Sequence, residues 1–172
     1  MQTAPSSVPH QGHANQWIGL VGWLALTFAA AAIGSMASIN AADFYLQLAR
    51  PAWAPPAALF GPVWSVLYLM MGVAAWLVWR AHGWRGARVA LAVYGVQLAL
   101  NALWSWLFFE WHQGQLALLE VLLLWAAIAL NLFLFARTHR IAGLLLVPYL
   151  AWVSFAAALT YTLWRMNPAL LA

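Results

Sequence analysis

Trp64 and Tyr68 lie four residues apart; Gln97, Asn101, Trp104 and Phe108 follow one another at spacings of three and four, as do Tyr149, Trp152, Ala156 and Leu159. Residues at those spacings share one face of an α-helix, so each set forms a stripe of ring surface carrying an amide or a hydroxyl. Three such stripes turned towards one another describe a pocket for a large, flat, mostly apolar ligand better than a site for an ion. Asn101 places an amide inside an apolar stretch. It must find its partner within the protein, and either an interhelical hydrogen bond or a ligand meets that need.

The other polar residues speak against most conventional chemistry. Asp43 and Glu110 are expected in loops, and Glu120 in the first turns of an apolar helix, where the macrodipole favours a carboxylate and the interface keeps it hydrated. No two carboxylates are placed for paired acid and base work. His10 and His13 fall in an N-terminal tail and His82, His112 and His139 in three separate links, so no metal constellation is expected. Gly-rich phosphate loops and serine elbows are missing, and the absence of cysteine removes thiolate chemistry and disulfides. These observations point away from hydrolysis and phosphoryl transfer, and from a conventional enzyme.

What must position the stripes follows from composition. The 172 residues are 66% hydrophobic and only 6% charged, against about 25% charged in ordinary soluble domains, and the mean hydropathy is +0.82. Five apolar runs, 17–39, 59–79, 87–109, 115–135 and 141–164, are each long enough to span about 30 Å of hydrocarbon at 1.5 Å per residue. The runs are continuously apolar with no alternation, which selects helices over barrel strands. The expected architecture is an all-α integral membrane protein, a five-transmembrane-helix bundle over 17–168. It is preceded by a disordered polar tail, 1–16, that lacks the basic stretch of a signal peptide.

Seven arginines and no lysine are scattered between the apolar runs. This is the distribution of membrane topology signals; a nucleic-acid-binding patch would be clustered. Arg80, Arg85, Arg88, Arg137 and Arg140 fall on the side of the amino terminus, Arg50 and Arg165 on the other, and this bias favours an inside amino terminus. No internal repeat is visible, which argues against an inverted-repeat transporter. Trp17, Trp79, Trp84, Trp111 and Trp164 are expected in the interfacial belts. Small residues at Gly19, Gly22 and 29–32 allow close helix approach within the bundle or at a dimer seam. The abundance of alanine and arginine hints at a GC-rich bacterial source.

One loop stands out. Arg50-Pro51-Ala52-Trp53-Ala54-Pro55-Pro56 is held extended by its prolines, and Pro62 suits the start of the next helix, so the segment reads as a shaped lid over one end of the bundle. Near the carboxyl end, Leu159, Tyr161 and Arg165 fit the proposed cholesterol-contact pattern, which is common by chance.

Together with Phe60-Gly61-Pro62-Val63-Trp64 and Leu67-Tyr68, that loop resembles the signature of the TspO/MBR family, the tryptophan-rich sensory proteins or translocator proteins, also called peripheral benzodiazepine receptors. Leu98-Ala99-Leu100-Asn101-Ala102-Leu103-Trp104-Ser105 with Phe108-Phe109, and the stretch from Val147-Pro148-Tyr149 to Ser154-Phe155-Ala156, are similar to two further family motifs. The resemblance covers about residues 17 to 168. It implies a five-helix bundle, commonly a homodimer, that needs no cofactor and binds porphyrins such as protoporphyrin IX and haem, and also sterols and synthetic isoquinoline or benzodiazepine ligands. Tetrapyrrole sensing, transport, scavenging or regulation would follow from such binding. By position Trp53, Pro55, Trp64, Tyr68, Asn101, Trp104, Phe108, Trp152, Ala156 and Leu159 resemble residues that surround ligand in the family. Trp64 and Trp152 match tryptophans linked in relatives to light- and oxygen-dependent porphyrin breakdown. The chain departs from the family at Trp106, where many relatives have proline, which bears on the bend of the third helix. Thr160 stands where they have asparagine, which weakens the sterol contact implied for Leu159, Tyr161 and Arg165.

Overall fold

The computed structural model describes residues 13–171, and all regular structure among them is helical. α1 (His13–Met36) and the short α2 (Ala41–Gln47) are followed by a 3-10 turn (Ala57–Leu59) that leads into α3 (Phe60–Ser105). A π-helical turn (Trp106–Glu110) ends α3, and α4 (Gly114–Thr138) and α5 (Arg140–Met166) complete the order.

The apolar helical stretch Ala57–Glu110 has 54 residues; drawn straight it would run about 80 Å, far beyond the roughly 30 Å of hydrocarbon. It breaks at Gly83, with φ 62° and ψ −176°, and at Ala87, with φ −117° and ψ 16°. Glycine enters the left-handed region without steric penalty, and the chain turns back on itself there. Contacts across the turn fix the register: the Tyr68 hydroxyl donates to Asn101 Oδ1 at 3.3 Å, and Gln97 Nε2 donates to Met71 Sδ at 3.6 Å. Residues equally far from the break are therefore paired, as in an antiparallel hairpin. The two arms of α3, 60–82 and 88–105, make two crossings; with α1, α4 and α5 the protein is a five-helix membrane bundle.

α1 is tied to both arms. Trp76 Nε1 donates to the Gln16 carbonyl at 3.0 Å, and Thr27 Oγ1 shares a 2.6 Å hydrogen bond with the Tyr94 hydroxyl. α4 and α5 are antiparallel, with Trp125 Nε1 donating to Ser154 Oγ at 2.8 Å. Their close approach requires glycine at 143, because a Cβ there would fall 2.8 Å from Ala136 Cα. The core at this end is continuous. Met71, Ala74, Ala75 and Val78 of the first arm meet Leu91 and Tyr94 of the second, Ile128 and Phe135 of α4 and Leu146 of α5, all buried. Leu69, Val96, Leu123, Phe133 and Leu144 point outward, as suits a protein whose surroundings are lipid.

Three expectations need correction. The polar tail does not reach residue 16: α1 begins at His13, and the Trp76 indole that holds the Gln16 carbonyl explains why its first turn is tied down; residues 1–12 lie outside the described residues. Asp43 and Glu110 are not in loops: 41–47 form α2, with Asp43 in its first turn where the helix dipole favours a carboxylate, and Glu110 ends the π-helical turn. Of the expected belt tryptophans, Trp17, Trp84 and Trp111 are exposed, whereas Trp79 lies across Gly19 and Trp164 across Gly114, each filling the space a side chain would take.

Candidate ligand-binding site

Towards the end of the bundle opposite Gly83 the helices diverge around a cavity of about 580 Å³, within the range of small-molecule pockets. The first arm of α3 presents Phe60, Trp64 and Tyr68 to it, and the second arm Asn101 and Trp104, with Phe108 from the π-helical turn. α5 presents Trp152, Ala156, Leu159 and Thr160. Each set recurs at three- and four-residue spacing because one helical face looks inward. Space remains because much of the facing wall is thin: α1 contributes Ala31, Ala32, Gly34 and Ser35, with Phe28 as its one ring, 6.3 Å from Tyr68.

The walls are ring surfaces. Trp104 stacks on Phe108 with centroids 5.3 Å apart and planes 10° apart. Trp64 leans on Tyr68 at 5.7 Å and meets Tyr149 edge-on at 6.1 Å. On the α5 side, Trp152 meets Phe60 at 6.0 Å and Phe155 at 5.4 Å. Such packing fixes the ring orientations. A short polar chain crosses the floor: Tyr68 donates to Asn101 Oδ1, and Asn101 Nδ2 donates to the Tyr149 hydroxyl at 2.7 Å. Asn101 thus makes the interhelical bonds its position demands and still borders the cavity. Among the described residues Trp104 Nε1 and Trp152 Nε1 have no hydrogen-bond partner.

The lid end is pinned from the carboxyl-terminal side. Asn167 reads both backbone groups of Ala49, accepting from its N–H at 2.8 Å and donating to its carbonyl at 2.9 Å, and the same Nδ2 donates to the Leu163 carbonyl at 2.8 Å. The Tyr45 hydroxyl donates to the Pro55 carbonyl at 2.9 Å, and the Arg50 guanidinium lies 5.0 Å from the Tyr45 ring centre. Burial pushes the Tyr45 phenol above its ordinary range, partly offset by the neighbouring Arg50. Beside it, Phe44 stacks at 4.2 Å on His112, whose backbone takes the left-handed conformation with φ 54° in the link to α4.

The structure brings Trp64, Tyr68, Asn101, Trp104, Phe108, Trp152, Ala156 and Leu159 to one cavity. Trp53 and Pro55 are not among its lining. Trp53 is 51% exposed and rests edge-on against Phe155, 5.8 Å between centroids, and Pro55 borders a separate groove with Leu48, Arg50 and Pro51. The cause is α2 and the Asn167 clamp, which carry 49–56 across the outside and leave Tyr45 and Phe60 the inner positions.

The Leu159, Tyr161 and Arg165 pattern does not form one surface. Leu159 is buried at the cavity while Tyr161 is 51% exposed, as a two-residue step of about 200° around a helix requires. Glu120 is not hydrated either. It is 5% exposed with both carboxylate oxygens unpartnered among the described residues, because 117, 120, 121 and 124 form the inward face of α4. Trp106, the departure on the third helix, opens the π-helical turn, where the Trp111 N–H reaches back five residues to its carbonyl, and its indole donates to the Ile33 carbonyl at 3.2 Å.

Ala31, Ala32 and Ser35 line the cavity from a helix that is apolar all round, so nothing in the sequence marked them as a wall. Asn167, which clamps the lid end without lining the cavity, follows the last span as an isolated amide. Tyr45 had no signal, and Phe60 appeared only within the family motif.

A multi-pass helical membrane protein with an aromatic cavity beneath a proline-rich lid is the class that fold and site define. The chain belongs to the TspO/MBR family, whose pattern matches residues 23–165. It is similar to the tryptophan-rich protein TspO of Chlorobaculum tepidum, 42% identical over 127 residues that cover 73% of this chain and 80% of that protein. It is similar also to the translocator protein of Homo sapiens, 40% identical over 72% of this chain and 75% of that one. Protein CrtK of Rhodobacter capsulatus is 38% identical over 81% of this chain and 86% of its own length.

Proposed function

We propose that this TspO/MBR protein binds porphyrins, protoporphyrin IX and haem, in the cavity beneath the lid, and thereby serves tetrapyrrole sensing, transport or scavenging in the membrane. The observation that carries the proposal is the cavity of about 580 Å³ walled by Trp64, Trp104, Phe108 and Trp152. Flat ring faces there offer a planar macrocycle the contacts it can use. No cationic side chain lines the cavity among the described residues, and burying an unpaired carboxylate is costly. The propionates would therefore stay at the lid end, near Arg50. Among the described residues no histidine or methionine lines it either, and the phenols of Tyr45 and Tyr68 already donate to Pro55 and Asn101, so haem would be held by its faces rather than by an axial bond, with affinity close to that of the metal-free ring.

Titration with protoporphyrin IX should quench tryptophan fluorescence to saturation. An unchanged affinity in a Trp64→Phe, Trp152→Phe variant would count against this pocket. A second reading is light- and oxygen-dependent porphyrin breakdown, favoured by the presence of two indoles, Trp64 and Trp152, on different walls of one cavity. Identical products on illumination with and without the protein would remove that reading and leave binding untouched. Sterol binding receives less support, since Leu159 and Tyr161 face opposite ways.

A further inference from the structure

We propose that the end of the bundle around Gly83 and the α4–α5 link is a docking surface for the headgroups of anionic phospholipids. The antiparallel course of the helices gathers Arg80, Arg85 and Arg88 from the α3 turn and Arg137 and Arg140 from the α4–α5 link at one end, and all five are exposed. The chain contains three acidic residues, and none can neutralise them: Asp43 and Glu110 belong to the opposite end, and Glu120 is buried on the inward face of α4. At that opposite end Arg50 and Arg165 are balanced by the two carboxylates. The molecule is therefore electrically one-sided, and the excess sits where the helices leave the hydrocarbon.

The arginines lie where apolar spans end, which in a bilayer is the depth of the headgroups. The Arg80 guanidinium lies 4.9 Å from the Trp76 ring and that of Arg137 5.5 Å from the Phe133 ring, so both are held back along their own helices. Trp84 is 60% exposed beside them, as interfacial tryptophans are. Guanidinium forks match phosphate oxygens in pairs, and a leaflet rich in anionic lipid supplies phosphates at this depth. Lipid-borne phosphate is the occupant the surface fits, because the arginines ring a membrane exit and do not converge on a cavity.

The test is the thermal midpoint of the whole protein in nanodiscs of phosphatidylglycerol against nanodiscs of phosphatidylcholine. A higher midpoint in the anionic lipid is expected. It should disappear near 1 M salt, where screening acts within about 3 Å, and should not be reproduced by inorganic phosphate in the zwitterionic discs. The variant Arg85→Gln, Arg88→Gln, Arg137→Gln, Arg140→Gln should lose most of the shift, and Arg165→Gln should keep it. A shift indifferent to salt, reproduced by free phosphate, or undiminished in the fourfold variant overturns the proposal. If that variant does not fold, the salt and phosphate series on the unaltered protein decide.

Discussion

At the Gly83 end, Ala74, Ala75 and Val78 let the arms of α3 close on Phe135, Tyr94 and Leu146, and every one of those side chains is buried. At the lid end the same helices stand apart around about 580 Å³. The links differ accordingly: a sharp glycine turn and an α4–α5 connection through His139 at one end, against α2, an extended segment and a π-helical turn at the other. Close links draw helices together. The longer connection and the widened turn hold them apart, and widened turns of this kind tend to occur at functional sites. The packed core and the cavity therefore occupy different halves of one bundle, and the proposed binding falls to the second.

Substitutions in the two halves should separate accordingly. Phe135→Ala, at a fully buried ring 5.9 Å from Tyr94, should lower unfolding stability in detergent by about 3–5 kcal/mol, with little change in porphyrin affinity once folded. Asn101→Leu strands the hydroxyls of Tyr68 and Tyr149, and should remove about 1–3 kcal/mol while also weakening binding, since this residue belongs to both halves.

Asn167→Ala cuts the clamp on Ala49, where each lost hydrogen bond contributes about 0.5–1.5 kcal/mol. Stopped-flow release of bound porphyrin should accelerate more than its association does. Trp53→Ala removes a half-exposed ring outside the cavity, and both stability and affinity should stay within about 0.5 kcal/mol; a large loss of affinity would bring the lid tryptophan back into the site.

The sequence showed the crossings because lipid demands long apolar helices, and the spacing of Trp64 with Tyr68, of Asn101 with Trp104 and Phe108, and of Trp152 with Ala156 and Leu159 showed which faces look inward. Periodicity carried that information only where a face contrasts with its surroundings. α1 has no such contrast, so Ala31 and Ser35 were invisible as a wall. Trp53 and Pro55, assigned by resemblance alone, fall outside the cavity lining, and an irregular segment has no period from which their direction could have been read. Glu120 misled for a related reason: its place near a helix start suggests hydration, but its facing depends on how α4 rotates against α3 and α5.

The central claim is that a flat ring occupies the space beside Ala156, between the tryptophan walls. Protoporphyrin IX titration of Ala156→Phe, followed by tryptophan quenching, tests it most directly, because the added ring fills the cavity and leaves the packed half untouched. The account predicts at least a tenfold loss of affinity, about 1.4 kcal/mol, at an unchanged thermal midpoint. Undiminished affinity in a folded Ala156→Phe protein would contradict it.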